Sequence, residues 1–174
     1  MLISGYGIEL HPISEDNIEL LRQWRNSEFV QQFMQQTVRI TPEMQKKWFN
    51  SLDKDRNHYF LIKEGDTFIG CCNIKNITDE HVGEGGVFLC EEKYLNGISA
   101  SKAIFLMYEW AFNSGIIIGA KSEILSNNRR AIRFNKMLGF TVEKHDLVSY
   151  GYLNKDRFFE QLTKFSSVLN SREQ

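Results

Sequence analysis

Residues 103–112, Ala-Ile-Phe-Leu-Met-Tyr-Glu-Trp-Ala-Phe, carry a single charged side chain, Glu109, so a helix built from them is apolar on nearly every side. A bilayer span needs ~20 such residues. This run is too short for that, and the remaining way to hide it is to pack it against a sheet. A strand over 87–89 precedes it, and the turn Tyr94-Leu95-Asn96-Gly97-Ile98-Ser99-Ala100 leads into it. A turn with glycine and small polar residues at a helix head presents unpaired backbone N–H groups, and the helix dipole adds partial positive charge there. That chemistry suits a phosphate. Any strand-to-helix junction also needs a tight turn, a role Gly97 fills with no ligand at all.

The composition makes a local anion site the only kind available. The chain has 21 Lys and Arg against 22 Asp and Glu, a net charge of -1, so no overall basic field draws in nucleic acid or an anionic membrane. Its 174 residues, 42% hydrophobic and 25% charged, suit one globular domain. The N-terminus lacks a basic segment followed by an apolar core, and no apolar run reaches the length of a span, so a cytoplasmic protein is expected. Cys71 and Cys72 are adjacent on one expected strand and point to opposite faces; with Cys90 they read as reduced, structural thiols. His11, His58 and His145 show no ligand spacing among themselves or with the cysteines, and no metal site is expected.

In chain order, weak alternation over 7–10 predicts a strand, and Ser14-Glu15-Asp16 supplies a cap and acids for a helix with Ile18, Leu20, Leu21 and Trp24 on one face. That helix breaks at Arg25-Asn26-Ser27. A short one follows through Phe29, Val30, Phe33 and Met34. Thr41-Pro42-Glu43 starts a third helix, which runs to about Leu52 and buries Met44, Trp48 and Phe49. The period then changes to that of strands: a hairpin turns at Lys63-Glu64-Gly65-Asp66, its second strand continues through Asn73 and Ile74, and a third strand spans 82–89. Gly85-Gly86 inside that third strand marks a bulge or the close approach of another group. A strand over 121–125 leads to Ser126-Asn127-Asn128, which caps a helix closed by Gly139. Strands over 141–152 and 157–165, joined by Leu153-Asn154-Lys155-Asp156, and a polar tail over 166–174 complete the reading.

Two stretches matter together: Glu84-Gly85-Gly86-Val87-Phe88-Leu89 running into Tyr94-x-x-Gly97-x-Ser99, and the segment from Asn128 through Arg129, Arg130, Ala131 and Ile132 to Leu138-Gly139-Phe140. In this order and spacing the chain resembles the GNAT superfamily of acetyl-CoA-dependent N-acetyltransferases over nearly its whole length, residues 1–165. Gly97 matches the family's Gln/Arg-x-x-Gly-x-Gly/Ala loop, from which Tyr94 and Ser99 depart. Asn128, Ala131, Ile132, Leu138, Gly139 and Phe140 match Asn-x-x-Ala-Ile-x-x-Tyr-x-x-Leu-Gly-Phe, with Asn135 where the family has tyrosine. Arg129 and Arg130 fall in a first helical turn, where the dipole disfavours cations; a bound anion would remove the conflict, and side chains reaching into solvent would do the same.

The resemblance implies an α/β fold: a single domain with a mixed, mostly antiparallel, twisted sheet, helices on both faces, and two splayed strands, one ending at Leu89 and the other near Glu123. It implies acetyl-CoA held by Phe88, Leu89, Cys90, Tyr94, Leu95, Asn96, Gly97, Ile98, Ser99, Asn128, Arg130, Ala131 and Asn135. A backbone N–H near Leu89 is expected to hold the oxyanion. Glu84 is the expected base, acting directly or through a water, with His81 and Glu80 as lesser candidates; a solvated or salt-bridged carboxylate is the plain alternative. In the family the tyrosine protonates the departing thiolate, and Asn135 is the expected hydrogen-bond donor in its place. Trp24, Arg25, Asn26, Met34 and Asn73 are the expected acceptor contacts. The resemblance leans toward an amine on a nucleotide-linked sugar, with ribosomal-protein N-termini, polyamines, or a CoA-binding module without turnover as alternatives. It leaves homodimerisation open.

Overall fold

The hairpin forms where the glycine allows it: β3 (His58–Glu64) and β4 (Thr67–Lys75) are joined at Gly65, whose φ of +55° lies in the left-handed region. β1 (Ile3–Gly5), β2 (Ile8–Pro12), β5 (Val82–Leu89), β6 (Gly119–Leu125), β7 (Thr141–Lys144) and β8 (Val148–Asn154) complete one eight-stranded sheet, in the order β1-β2-β3-β4-β5-β6-β8-β7. These are the elements of a computed structural model that describes residues 1–33, 38–95 and 97–171.

The helices are α1 (Ile18–Asn26), α2 (Glu28–Gln31), α3 (Pro42–Ser51), α4 (Ser99–Asn113), α5 (Arg129–Leu138) and α6 (Lys155–Leu169). They cover both faces of the sheet. On one side α4 buries Phe105, Tyr108 and Phe112 against Phe158 of α6, Leu138 of α5 and the inward side chains of the strands. On the other, Leu21 of α1 packs with Leu61 and Cys71 under Trp24 and Trp48. Glu109, the one charge in the apolar helix, is satisfied at the helix edge by the Tyr6 hydroxyl, 2.5 Å away.

Several expectations change. Residues 157–165 are not a strand: α6 begins at the Asn154 cap, whose Oδ1 accepts from Arg157 N at 2.9 Å, and it buries Phe158, Leu162 and Leu169 at helical spacing. The polar tail expected from Ser166 therefore does not start there, since the helix runs on to Leu169, which is 1% exposed. The single strand expected over 141–152 is the antiparallel pair β7–β8. Asn17, not Ser14 to Asp16, is the α1 cap, and its Oδ1 accepts from Ser14 N at 2.7 Å. In α3, Met44 is exposed and Gln45 is buried in its place, donating to Ile18 O at 3.0 Å, while the Thr41 cap holds as read. α2 is a single turn that ends before Phe33; Met34 lies outside the described residues.

Candidate active site

The sheet comes apart at one place. β5 and β6 are the parallel pair, with register Val82↔Gly119, Gly83↔Ala120 and Glu84↔Lys121, and the pairing stops there although both strands run on, to Leu89 and Leu125. This is the splay implied by the resemblance. Backbone alternation sets its chemistry. Cys90 N donates to Ile69 O at 2.8 Å, and Val82 O accepts from Thr78 N at 3.0 Å, so the even-numbered groups of β5 face β4. The N–H groups of Gly85, Val87 and Leu89 consequently turn toward β6; that of Gly85 closes the last parallel pair, Glu84↔Lys121, and beyond it no β6 residue pairs with Val87 or Leu89. The gap is lined by backbone donors of the kind that hold an oxyanion or pair with an amide.

A cavity of about 340 Å³ opens at the apex, with Lys75, Glu84, Gly85, Lys121, Glu123 and Asn135 among its lining. The two residues expected to do chemistry, Glu84 and Asn135, thus share one cavity although 51 positions separate them in the chain (135 − 84). The Glu84 carboxylate accepts from Asn76 Nδ2 at 3.0 Å and pairs with Lys121 Nζ at 3.4 Å. Asn76 reaches it from a left-handed backbone, φ +54°, a conformation asparagine tolerates better than most residues. Asn135 commits one N–H of its amide to Ala131 O at 3.0 Å and retains the other.

Asn73 stands opposite Gly86 on the Glu84 face of the sheet, and its Oδ1 is buried with no hydrogen-bond partner. An orphaned buried acceptor costs roughly 1–3 kcal/mol, which a donor on a ligand would relieve. Cys71, two residues before Asn73 on the same face, has its thiol pushed up to about 12 by burial, against the opposing charge of Arg25. Arg25 therefore overlooks this face, with its guanidinium 5.6 Å from the centre of the Trp48 ring. Trp24 packs into the smaller core beside it. Asn26 is used differently: its amide donates to Ile40 O and accepts from Ile40 N, both at 2.8 Å, which pins the chain between α2 and α3.

The expected cofactor contacts divide into packing and anion chemistry. Phe88 packs with Leu61 and Cys71, while Leu89 and Cys90 are buried. Tyr94 and Leu95 rest on the main core, with Lys93 Nζ 4.8 Å from the centre of the Tyr94 ring. Gly97 is exposed, Ile98 precedes the first turn of α4, and Asn96 lies outside the described residues. Ser99 is buried and donates to Glu64 Oε2 at 2.9 Å, so its hydroxyl is already engaged. One turn on, Lys102 is 3% exposed and has no ionic partner among the described residues, and the first turn of α4 has no acid. The stem is what is buried, while the ammonium reaches the surface beside the positive end of the helix, a place that favours an anion.

In α5, Asn128 accepts from Ala131 N at 3.0 Å as the cap, Gly139 closes the helix at φ +102°, and Leu138 and Phe140 are buried. Most of this motif therefore builds the helix that carries Asn135 into the cavity. Arg129 and Arg130 are exposed at the first turn. Sequence reasoning missed Lys75, Asn76, Lys121 and Lys102. Lys75 and Asn76 directly follow the Asn73-Ile74 strand, a local signal for the first two; nothing local places Lys121 against Glu84.

The residues present fit acetyl-CoA on two counts from the structure: an open strand edge with backbone donors for the amide-bearing arm, and an uncompensated cation at a helix start for the diphosphate. Residues 8–141 match the acetyltransferase (GNAT) domain family. The chain is 28% identical to acetyltransferase PseH of Campylobacter jejuni over 138 residues, which is 77% of this chain and 83% of that protein. Apo FdhC, a nucleotide-linked sugar GNAT, has the same fold, with a TM-score of 0.80 at 16% identity over 97% of this chain and 98% of that one. The spermidine N-acetyltransferase of Vibrio cholerae, in complex with CoA and spermine, matches with a TM-score of 0.76 at 12% identity over 89% and 99%. With its matched domain, its splayed parallel pair and its divided sheet, the chain belongs to the GNAT acetyltransferase family.

Proposed function

We propose that this acetyltransferase acetylates the primary amine of an amino sugar carried on a nucleotide. The observation that carries the reading is the charge of the cavity: Lys75 and Lys121 stand there with Glu84 and Glu123, a balanced set. A polyamine calls for clustered acids, whereas a diphosphate-bearing acceptor calls for cations near the site. The likeness to FdhC over nearly the full length of both chains supports the same reading.

Acetyl-CoA supplies the acyl group: the amine lone pair forms the N–C bond, the C–S bond breaks, and its electron pair leaves with sulfur. Glu84 takes the proton that the attacking nitrogen must lose, directly or through a water, while Asn76 and Lys121 hold the carboxylate at the apex. The N–H groups of Val87 and Leu89 face the gap where charge develops on the carbonyl oxygen. Asn73 Oδ1 accepts from the acceptor amine, and Arg25, with Trp24 beside it, serves the carrier's phosphates. Three buried, free cysteines accord with a reducing, cytosolic setting.

A panel of amino-sugar nucleotides, polyamines and N-terminal peptides with acetyl-CoA, read by product mass and thiol release, tests the reading. Turnover is expected with the sugar nucleotides, and turnover of polyamines alone defeats it. Replacing Glu84 by Gln is expected to lower kcat about 100-fold with CoA binding retained. A rate within threefold of the wild type would remove Glu84 as the base.

A further inference from the structure

The side chain that steadies Glu84 reaches it by an indirect route. Lys75, the last residue of β4, pairs with Glu84 and shares its face of the sheet. Strict alternation would therefore send the next side chain, Asn76, to the α4 face. It does not go there. The backbone of Asn76 turns left-handed at φ +54°, and its Nδ2 donates to Glu84 Oε2 at 3.0 Å. Lys121 Nζ approaches the other carboxylate oxygen, Oε1, at 3.4 Å. One of the two holds on the carboxylate thus depends on a backbone conformation that is uncommon outside glycine.

That conformation is held from the loop before β3, residues 52–57. Asn57 Oδ1 accepts from Asn76 N at 3.1 Å, and Asn57 Nδ2 donates to Asp53 O at 3.0 Å, so both ends of its amide are engaged. Alongside, Ile77 N donates to Arg56 O and Arg56 Nη1 donates to Ile77 O, each at 3.1 Å. The β3–β4 ladder ends at His58↔Ile74, and these bonds carry the contact between the two segments beyond it. Arg56 also pairs with Asp79, and the Ile77 side chain is sunk in the main core. Asn76 itself is exposed, so burial does not fix it and the bond from Asn57 does.

We infer that Asn57 is a positioning residue for the reaction: by accepting from the Asn76 backbone it holds the left-handed turn that aims the Asn76 amide at Glu84. The inference rests on the reading of Glu84 as the base and is independent of which amine is acetylated. The same loop leaves the end of α3, which carries Trp48 with Arg25 lying against it. It therefore ties the helices on the acceptor side of the sheet to the carboxylate. A fixed amide donor keeps one carboxylate oxygen occupied and the group oriented before substrate arrives, so less reorganisation is left for the proton transfer.

The first test needs no acceptor. In an amide-correlation NMR spectrum of the intact protein, the side-chain signals of Asn76, identified by their loss in Asn76→Gly, are expected to move in Glu84→Gln and to fall to free-asparagine positions in Asn57→Ala. Signals unmoved in a folded Asn57→Ala overturn the inference; if that variant does not fold, Asn57→Ser, too short to reach Asn76, takes its place. The second test follows thiol release from acetyl-CoA with the fastest amine of the panel above. Asn57→Ala and Asn76→Gly, which keeps the left-handed backbone, are each expected to lower kcat about fivefold at unchanged KM for acetyl-CoA. Asn57→Asp keeps an oxygen for Asn76 N and should recover most of the rate. Adding Asn57→Ala to Glu84→Gln should cost nothing more, because its effect runs through that carboxylate. A further loss of about fivefold there overturns the inference and leaves Asn57 a merely structural part. A Glu84→Gln rate within about threefold of the wild type removes the base reading, and with it the role of Asn57 in the reaction, whatever the NMR signals show.

Discussion

The two halves of the sheet are built differently. Strands β1 to β5 are paired antiparallel throughout, with α1 and α3 on one face and α4 on the other. Strands β6, β8 and β7 are also antiparallel to one another but are packed on one face only, leaving Leu125, Tyr150 and Tyr152 about half exposed on the other. Between them three parallel register pairs hold, and then the strands part. The lesson is that the site sits at the weakest seam: backbone groups that any continuous sheet would satisfy internally are left for a ligand. Glu84, the last paired residue of β5, and Tyr108, behind the first unpaired one, mark the two sides of that seam.

The comparison breaks most severely at Gly85. Alanine there places a methyl 2.1 Å from Tyr108 Oη, in a core with no room to shift, and a loss of about 2–3 kcal/mol is expected, with CoA affinity falling together with Tm. Combining Gly85→Ala with Tyr108→Phe removes the atom in closest conflict and should recover about half of the Tm loss in a thermal melt. No recovery would mean that the seam is set by something other than this contact.

A smaller effect is expected in the C-terminal half alone. Asn128→Ala removes the cap of α5 and should cost about 1 kcal/mol by urea titration. CoA affinity should fall by less than tenfold, because the cap builds the helix while the gap lies in the sheet. A hundredfold loss of affinity at unchanged stability would instead make Asn128 a ligand contact.

The smallest effect lies in the N-terminal half. Burial holds His58 below its ordinary pKa near 6.5, so below that pH the unfolded chain binds a proton that the folded one resists. Stability is therefore expected to fall as pH drops below about 6.5 toward the lower folded pKa, and His58→Gln should flatten that slope. An unchanged slope would place the acid sensitivity elsewhere.

Much of the site is legible in the sequence, for a local reason in each case. Gly97 and the helix after it, Asn128 with Gly139, and Glu84 beside the glycine pair are each signals carried within one short stretch of chain. The misreadings have the same local origin. Residues 157–165 look like a strand when Phe158-Phe159 is read as an apolar run, yet Asn154 caps them and Phe158, Leu162 and Leu169 repeat at helical spacing. Asn26 reads as a ligand donor and spends its amide on Ile40, fourteen residues away, a closure no short pattern records.

The sequence by itself determined the caps at Thr41 and Asn128, the glycine turn at Gly65 and the glycine that closes α5, because backbone preferences act over three or four residues. The tertiary structure alone decided which side chains meet at the seam: Lys121 on Glu84, Asn76 beneath it, and Tyr108 from inside an apolar helix onto Gly85. Those meetings depend on how the strands register and on which face α4 covers. Register and packing are settled by the whole core at once, so residues far apart in the chain become neighbours only when it closes.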